Sequence, residues 1–254
     1  MKAMIFAAGL GTRLAPLTDT CPKALIEVGG RPMLERAISN VVKAGATEVV
    51  VNIHHHAPVI AEWISSRDFG VPVLISDESD LLLDTGGGVV KAAPLLDGTD
   101  EVVLYNADIF TDLDIREMVE AHRRGGNDVT LLVSSSRSSS RHLLFDRQSG
   151  LMRGWHNVST DEIRSPYSPE IISGCIGMAF GGVHVINRPT IDLMKEWGGS
   201  PRFSITSFYI DCCDRLSISA YEPAAAYTWV DIGRPDTLAH ARSIAGSMSS
   251  DKKS

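Results

Sequence analysis

The chain has 254 residues, of which 44% are hydrophobic and 22% charged, and its formal net charge is −7. This length and composition predict a globular protein with a sizeable core, and the acidic excess argues against a surface that neutralises a nucleic-acid backbone. No apolar run reaches the roughly 18 residues of a membrane span, and the N-terminal apolar run is too short for a signal peptide. We therefore expect neither a nucleic acid nor a membrane as a partner.

The four cysteines, Cys21, Cys175, Cys212 and Cys213, show no spacing typical of metal ligands. Two of them are adjacent in sequence, and adjacent cysteines rarely form a disulfide with each other. Reduced thiols are typical of intracellular proteins, so we expect a cytoplasmic location.

The first half of the chain alternates short apolar runs with longer amphipathic segments. This pattern predicts βαβ units and an α/β fold with a mixed, mainly parallel sheet flanked by helices. The predicted strands are 2–7, 48–52, 71–75, 101–105 and 129–133, and the predicted helices are 33–44, 58–66, 87–96 and 115–124.

The second half is less regular and begins with a break at residues 134–140, where six serines and one arginine predict a solvated, mobile connection. The predicted strands that follow are 142–146, 178–186, 216–221 and 227–231, and the predicted helices are 190–196, 205–215 and 235–245. We expect a single domain over residues 1–246, with halves at about 1–135 and 136–246, and a disordered tail over residues 247–254.

The first predicted strand runs into the loop Ala7-Ala8-Gly9-Leu10-Gly11-Thr12-Arg13, which is followed by Pro22-Lys23. Glycines at positions 9 and 11 allow backbone N–H groups to approach an anion closely. Arg13 and Lys23 add two cations to the same loop, at the end of a strand where α/β sheets usually bind ligands. The loop therefore predicts a phosphate site.

Two better-known phosphate motifs are excluded. No Gly-Lys-Ser or Gly-Lys-Thr follows the glycines, so the loop is not a Walker motif. Leu14 stands where a dinucleotide-binding loop has its third glycine, and Asn52 stands where the second strand would end in an acidic residue. These departures argue against a dinucleotide-dependent oxidoreductase.

Two acidic residues follow predicted strands. Asp108 comes after the strand 101–105, and Asp231 ends the strand 227–231, so the sheet can bring both carboxylates to one edge. Carboxylate oxygens suit Mg²⁺, although Asp is also common at turns and helix caps.

Thr85 precedes an apolar helical pattern, which makes it a candidate helix N-cap. The run His54-His55-His56 does not predict a metal site, because consecutive side chains on a strand point to opposite faces. Asn52 or one of these histidines is a candidate for contact with a substrate.

The motif Gly9-x-Gly11-Thr12-Arg13-x₂-Pro16-Leu17-Thr18-x₃-Pro22-Lys23 resembles the signature loop of the sugar-1-phosphate nucleotidyltransferase family. Four further segments occur in the order found in that family: Asp84-Thr85-Gly86-Gly87-Gly88, Asn106-Ala107-Asp108, Phe180-Gly181-Gly182 and Trp229-Val230-Asp231-Ile232-Gly233. Within the family, the chain looks most similar to N-acetylmuramate-1-phosphate uridylyltransferases.

The resemblance implies a Rossmann-like, glycosyltransferase-A-like fold with a nucleotide-binding first half and a sugar-binding second half. It implies transfer of a nucleotidyl group from a nucleoside triphosphate, UTP first among them, to a sugar 1-phosphate such as N-acetylmuramate 1-phosphate, with release of pyrophosphate. The implied cofactor is Mg²⁺, and the chain would act as a monomer or a homodimer.

The family's functional residues map onto named positions of this chain. Arg13 and Lys23 are the implied catalytic residues. The implied nucleotide-binding residues are Ala8, Gly9, Gly11, Thr12, Arg13, Lys23, Thr85, Gly86 and Gly87. Asn106 and Gly181 would contact the sugar, and Asp108 and Asp231 would bind the metal.

Two alternatives stay open at this stage. One is a GTP- or CTP-dependent transferase that acts on heptose 1-phosphate or phosphocholine, and the other is a non-catalytic regulatory subunit that binds nucleotide sugars. Many relatives carry a second lysine in the middle of the chain that holds the sugar phosphate. Here that region offers only Arg147 and Arg153, so the anchor is either Lys23 or Arg153.

Overall fold

The structure is a computed structural model that describes residues 1–197 and 199–250, with the backbone alone for 248–250. The chain divides into two compact units. Unit 1 contains Met1–Leu82, Tyr105–Ile115 and the residues from Ala225 onward, and unit 2 contains Leu83–Leu104 and Arg116–Ala224. Each unit is therefore built from separated segments, unlike the linear halves expected from the sequence. The single domain over residues 1–246 stays a prediction.

The strands are β1 (Lys2–Phe6), β2 (Glu27–Val28), β3 (Arg31–Pro32), β4 (Val49–Ile53), β5 (Val73–Asp77), β6 (Glu101–Asn106), β7 (Ile109–Thr111), β8 (Val129–Ser134), β9 (Arg141–Asp146), β10 (Met152–Asn157), β11 (Glu162–Arg164), β12 (Cys175–Asn187), β13 (Ile218–Tyr221) and β14 (Trp229–Asp231). The α-helices are α1 (Leu17–Thr20), α2 (Met33–Lys43), α3 (Ala57–Ser65), α4 (Asp84–Ala92), α5 (Ile115–Gly125), α6 (Pro169–Ser173), α7 (Arg188–Glu196), α8 (Ile205–Cys212) and α9 (Pro235–Ser250).

Unit 1 contains a parallel arrangement in which β4 pairs with both β1 and β5. Every residue of β4 is buried, as expected for a parallel strand covered on both faces. The helix α2 has a regular apolar stripe, and its buried residues are Met33, Leu34, Ala37, Ile38 and Val41. Burial of this stripe fixes the helix against the rest of unit 1.

A separate apolar cluster of unit 1 lies behind the glycine loop. Leu14, which belongs to the loop, is buried there with residues of β14 and α9, including Val230, Leu238 and Ala241. The C-terminal helix and the loop thus share one core. This packing anchors the loop at its Arg13-Leu14 end.

Unit 2 is mostly antiparallel. The long strand β12 pairs with β8 and β9, and β9 continues through β10 to β11. One parallel pair joins β8 and β13. The predicted α/β class with a mixed, mainly parallel sheet flanked by helices is confirmed, and the parallel strands β1, β4 and β5 lie in unit 1.

Three local expectations were wrong in part. α4 begins at Asp84 rather than at about residue 87, so the threonine-glycine run lies inside the first turns of the helix. α9 continues to Ser250, which makes residues 247–250 helical, while residues 251–254 of the predicted tail lie outside the described residues. The serine-rich loop, expected to be mobile, is held by hydrogen bonds to other segments. The Arg137 guanidinium donates to the Ala179 carbonyl at 2.9 Å, and Ser135 N–H donates to Glu222 Oε1 at 2.6 Å.

None of the four cysteines forms a disulfide. In the described part of the chain, every helix is too short or too polar to cross a membrane.

Candidate active site

The glycine loop leaves β1 and turns sharply at Gly11. This residue has φ of 67°, in the left-handed region that favours glycine. A Cβ at position 11 would lie 2.9 Å from the Thr18 methyl carbon and 3.2 Å from Lys23 Cβ, so a side chain would also collide with the rest of the loop. Gly9 differs, because a Cβ built there meets nothing within 4 Å. The loop therefore has open space beside Gly9 and a closely packed turn at Gly11.

Lys23 and Asp108 form an ion pair in unit 1. The Lys23 side chain is 13% exposed and the Asp108 side chain is 23% exposed, so both are mostly buried but still reach the surface. Lys23 begins a short 3₁₀ turn, Lys23–Leu25, that follows Pro22. The ammonium group is thus held against a carboxylate that the sequence assigned to metal binding.

The side chains of Asp231 and Arg13 both lie beside Gly233. Gly233 N–H donates 2.7 Å to Asp231 Oδ1. A Cβ at position 233 would lie 2.8 Å from that same oxygen and 2.8 Å from Arg13 Nη2. Glycine at 233 therefore leaves room for the carboxylate and the guanidinium to come close together.

The pairing of β7 with β14 brings the backbone of Asp108 close to that of Asp231. Asp231 lies opposite Ile109 in this antiparallel pair, and Ile232 N–H donates 3.0 Å to the Asp108 carbonyl. Asp108, in the turn just before β7, and Asp231, in β14, are thus backbone neighbours in unit 1. The expectation that both carboxylate groups reach one edge of the sheet stays a prediction.

The buried Tyr105 hydroxyl supports the turn that carries Asp108. It donates 3.1 Å to the Ile109 carbonyl, and Asn40 Nδ2 approaches it at 3.4 Å. Burial raises the pKa of Tyr105, so the hydroxyl stays protonated and remains a donor. Ala107 N–H donates 3.1 Å to the Phe6 carbonyl, which joins the same turn to the end of β1.

Thr85, Gly86 and Gly87 lie in unit 2, where they contact residues 201–205. Gly86 N–H donates 2.9 Å and Gly87 N–H donates 3.3 Å to the Phe203 carbonyl. Thr85 does not cap α4, which corrects the N-cap expectation, since its Oγ1 accepts 3.0 Å from Ile205 N–H. The assignment of these three residues to the nucleobase stays a prediction.

The two residues assigned to the sugar lie in different units. Asn106 ends β6 in unit 1 and is partly exposed. Gly181 is buried in β12 of unit 2, where a Cβ would lie 2.6 Å from Leu132 Cγ. Close packing against Leu132 is therefore sufficient reason for a glycine at 181. Arg153, the alternative phosphate anchor, donates 2.7 Å to the Tyr167 hydroxyl in unit 2.

The histidine run follows β4, and two of its side chains contact backbone carbonyls. Among residues 1–197 and 199–250, no group of three or more His, Cys, Asp or Glu side chains is arranged to hold a metal ion. His54 Nδ1 instead lies 2.6 Å from the Glu78 carbonyl. Sequence reasoning missed Glu78, a carboxylate with no exposed surface that accepts 2.7 Å from Asn52 Nδ2. An acidic residue just after β5 carries no signal in one sequence that would distinguish it from a turn residue.

Comparisons with known proteins place this geometry in a family. The nucleotidyl transferase family matches residues 2–142. The mannose-1-phosphate guanyltransferase of Debaryomyces hansenii is 28% identical over 240 residues, which cover 92% of this chain and 62% of that protein. The N-acetylmuramate alpha-1-phosphate uridylyltransferase of Neisseria meningitidis is 41% identical over 115 residues, which cover 45% of this chain and 49% of that protein.

One solved structure supports the fold. A Bacillus anthracis protein, described as a candidate glucose-1-phosphate thymidylyltransferase, matches with a TM-score of 0.78 and 22% identity over 96% of this chain and 95% of that chain. The predicted Rossmann-like fold and the resemblance to nucleotidyltransferases are both confirmed. The family match includes the glycine loop, Lys23 and Asp108, and the chain belongs to the nucleotidyl transferase family.

Proposed function

We propose that the chain transfers a nucleotidyl group from a nucleoside triphosphate to a sugar 1-phosphate. A phosphate oxygen of the sugar 1-phosphate attacks the α-phosphorus, a new P–O bond forms, and the bond to the β-phosphate breaks. The products are a nucleotide sugar and pyrophosphate. The observation that carries this proposal is the assembly of Arg13, Lys23, Asp108 and Asp231 beside one glycine loop of unit 1.

The proposed roles follow from charge. Lys23 neutralises the α-phosphate and the incoming phosphate, and Arg13 holds the leaving pyrophosphate. Backbone N–H groups of residues 8–12 would bind phosphate oxygens in the open space beside Gly9. The nucleophile is already an anion, so the reaction needs no general base. Positioning and charge neutralisation by fixed donors supply the catalysis.

Asp108 and Asp231 fit a magnesium ion by their chemistry. They offer hard oxygen donors from the turn before β7 and from the paired strand β14, and Mg²⁺ in proteins commonly takes one or two carboxylates together with substrate phosphates. When bound, the ion would neutralise charge on the phosphate oxygens. The position of Lys23 on Asp108 indicates that this carboxylate is a place where positive charge is stabilised.

Within this activity we propose UTP and N-acetylmuramate 1-phosphate as the substrates. The 41% identity to the Neisseria meningitidis uridylyltransferase supports this choice, although it extends over only 115 residues. A GTP-dependent reaction is the second candidate, since the longer match is to a mannose-1-phosphate guanyltransferase. The chain spans 62% of that relative's length, so the relative's activity enters here only as a proposal.

The remaining contacts complete the proposal. Thr85, Gly86 and Gly87 would lie near the base, and Asn106 and Gly181 near the sugar. Because Gly86 and Gly87 already donate to Phe203, base recognition would use other groups of this segment or a rearrangement of residues 201–205. We keep the cytoplasm as the proposed location.

The test is pyrophosphate release by the purified chain. Each of UTP, GTP, CTP and ATP is combined with each 1-phosphate of N-acetylmuramate, N-acetylglucosamine, glucose, mannose and heptose. We expect release only when both substrates are present, and fastest with UTP and N-acetylmuramate 1-phosphate. A preference for GTP would move the chain to the guanylyl branch, and no release with any pair would favour the non-catalytic regulatory subunit.

A further inference from the structure

The end of β4 and the residues just after it contact the start of the glycine loop and the helix α1 that follows the loop. Asn52 lies within β4 and reaches the start of the loop at Ala7, and His56 follows β4 and reaches Thr18 beyond the turn. All of these residues lie in unit 1. One short segment of the chain therefore contacts residues on both sides of the glycine turn.

Asn52 is held in one orientation by its partners. Its Oδ1 accepts 2.8 Å from Ala7 N–H, and its Nδ2 donates 2.7 Å to Glu78 Oε1. A backbone N–H only donates, so the amide oxygen must face Ala7 and the amide nitrogen must face the carboxylate. Asn52 and Glu78 are 2% and 0% exposed, and buried hydrogen bonds of this kind are costly to leave unmade.

His56 contacts Thr18 in α1, the helix that follows the loop. Its Nε2 lies 3.2 Å from the Thr18 carbonyl, and a carbonyl only accepts, so Nε2 carries the hydrogen. The buried Thr18 hydroxyl in turn donates 3.0 Å to the Gly11 carbonyl. His56 is thereby connected, through Thr18, to the left-handed turn at Gly11. His56 itself has φ of 57°, a conformation that is unusual for a residue with a side chain.

We propose that Asn52 and His56 are positioning residues that fix the phosphate-binding loop, and that Glu78 orients Asn52. This inference rests on the proposed function, because it assigns the loop to phosphate binding. The two hydrogen bonds hold Ala7 and Thr18 in place, so the N–H groups between them keep one direction before the triphosphate arrives. Neither residue needs to touch the substrate.

The first test compares two substitutions of His56. In His56→Gln the amide nitrogen reaches about as far as Nε2, and in His56→Asn the side chain is too short while Asn still tolerates φ above zero. We expect His56→Asn to lower kcat about tenfold, the worth of one lost hydrogen bond, with little change in KM for the sugar phosphate. His56→Gln should recover most of the loss.

The second test moves the single negative charge of the buried pair from position 78 to position 52. Asn52→Asp places a carboxylate against Glu78 and should lower kcat at least tenfold, in line with the cost of unpaired buried charge. Glu78→Gln keeps an acceptor for Asn52 and should stay close to wild type. The double variant Asn52→Asp with Glu78→Gln lets the new amide donate to the new carboxylate, and we expect it to be faster than Asn52→Asp alone.

Hydrogen exchange of the loop amides separates this inference from the proposed function. His56→Asn and Asn52→Asp should speed exchange in residues 8–18 and leave the helices α2 and α9 unchanged. The same change in exchange is expected even if the chain releases no pyrophosphate. In that case the proposed function is wrong, and hydrogen exchange alone tests whether Asn52 and His56 position the loop. Unchanged loop exchange, or faster exchange throughout unit 1, would overturn the inference. So would a double variant no better than Asn52→Asp.

Discussion

The two glycine-rich segments of the chain look alike in sequence and differ in structure. Gly9 in unit 1 has no atom within 4 Å of where its Cβ would be. Gly86 in unit 2 would place a Cβ 2.2 Å from the Phe203 ring, and Gly87 would place one 2.1 Å from the Pro201 carbonyl oxygen. The first glycine therefore leaves space that is open to a ligand. At Gly86 and Gly87 the corresponding space is occupied by Phe203 and Pro201 of the protein itself.

The comparison teaches that a glycine motif predicts close approach without saying what approaches. In unit 1 the space beside Gly9 is accompanied by two cations, Arg13 and Lys23, and by two carboxylates. In unit 2 the N–H groups of Gly86 and Gly87 are already bonded to Phe203. The predictions below measure this difference.

The largest expected effect concerns the metal. Removal of divalent ions with a chelator should abolish pyrophosphate release, because the site would lose the Mg²⁺ ion that Asp108 and Asp231 are proposed to bind. The fold should persist. The measurements are activity and melting temperature with and without Mg²⁺. As a matched pair, Asp108→Asn should lose activity and Asp19→Asn, at an exposed position of α1, should keep it. Full activity without divalent ions would remove the metal role of both carboxylates.

Next in size are the two cations of the loop. Lys23→Ala and Arg13→Ala should each lower kcat by about 100-fold or more, because each removes a donor directed at transition-state charge that is worth roughly 3 kcal/mol. Lys43→Ala, at an exposed position near the end of α2, is the control and should leave kcat unchanged. Steady-state kinetics and circular dichroism check both points. A folded Lys23→Ala within about threefold of wild type would contradict the assignment.

A third prediction tests the glycines themselves. Gly86→Ala and Gly87→Ala should each lower the free energy of unfolding by about 1–3 kcal/mol, because the new methyl group overlaps with Phe203 or Pro201. Gly9→Ala should leave stability unchanged and instead raise KM for the triphosphate. Chemical denaturation and kinetics on the three variants decide this. Equal stability of all three variants would contradict the claim that Gly86 and Gly87 are closely packed while Gly9 is not.

The last expected effect is a pH dependence of stability in unit 2. Complete burial lowers the pKa of His184 to about 3, and its Nδ1 lies 2.8 Å from the Tyr209 hydroxyl. The unfolded chain binds this proton near pH 6.5 and the folded chain does not, so the stabilisation is complete above that pH and is lost as the pH falls toward 3. The expected slope from this residue is about 1.4 kcal/mol per pH unit.

The control for this effect is His184→Asn, which keeps an acceptor near Nδ1 and does not titrate. Its free energy of unfolding should fall less steeply between pH 6 and pH 4 than that of wild type. Identical slopes would show that His184 does not cause the dependence.

The sequence predicted the longer elements of unit 1, because their patterns are local, and missed the short elements β2, β3, β7 and α1. The apolar run of β4 and the stripe of α2 each follow from residues within a dozen positions. The start of α4 was misjudged because the Phe203 carbonyl, far along the chain, accepts from Gly86 and Gly87 and stabilises the first turn. The strand β10 was missed for a similar reason, since it is defined by pairing with β9 and β11.

The site shows the same division. Arg13, Lys23, Asp108 and Asp231 were named from motifs, and the structure brings them together in unit 1. The sequence did not predict the pairing of Lys23 with Asp108 or the buried Glu78, because both depend on contacts between distant segments.

The central claim, that the loop of unit 1 binds a triphosphate for attack at its α-phosphorus, is tested most directly by isotope transfer. The chain is incubated with N-acetylmuramate 1-phosphate and UTP labelled at either the α- or the γ-phosphorus. We predict that the α-label appears in the nucleotide sugar and the γ-label in pyrophosphate, and that Lys23→Ala abolishes both. Transfer of the γ-label to the sugar, or its release as free phosphate, would contradict the account.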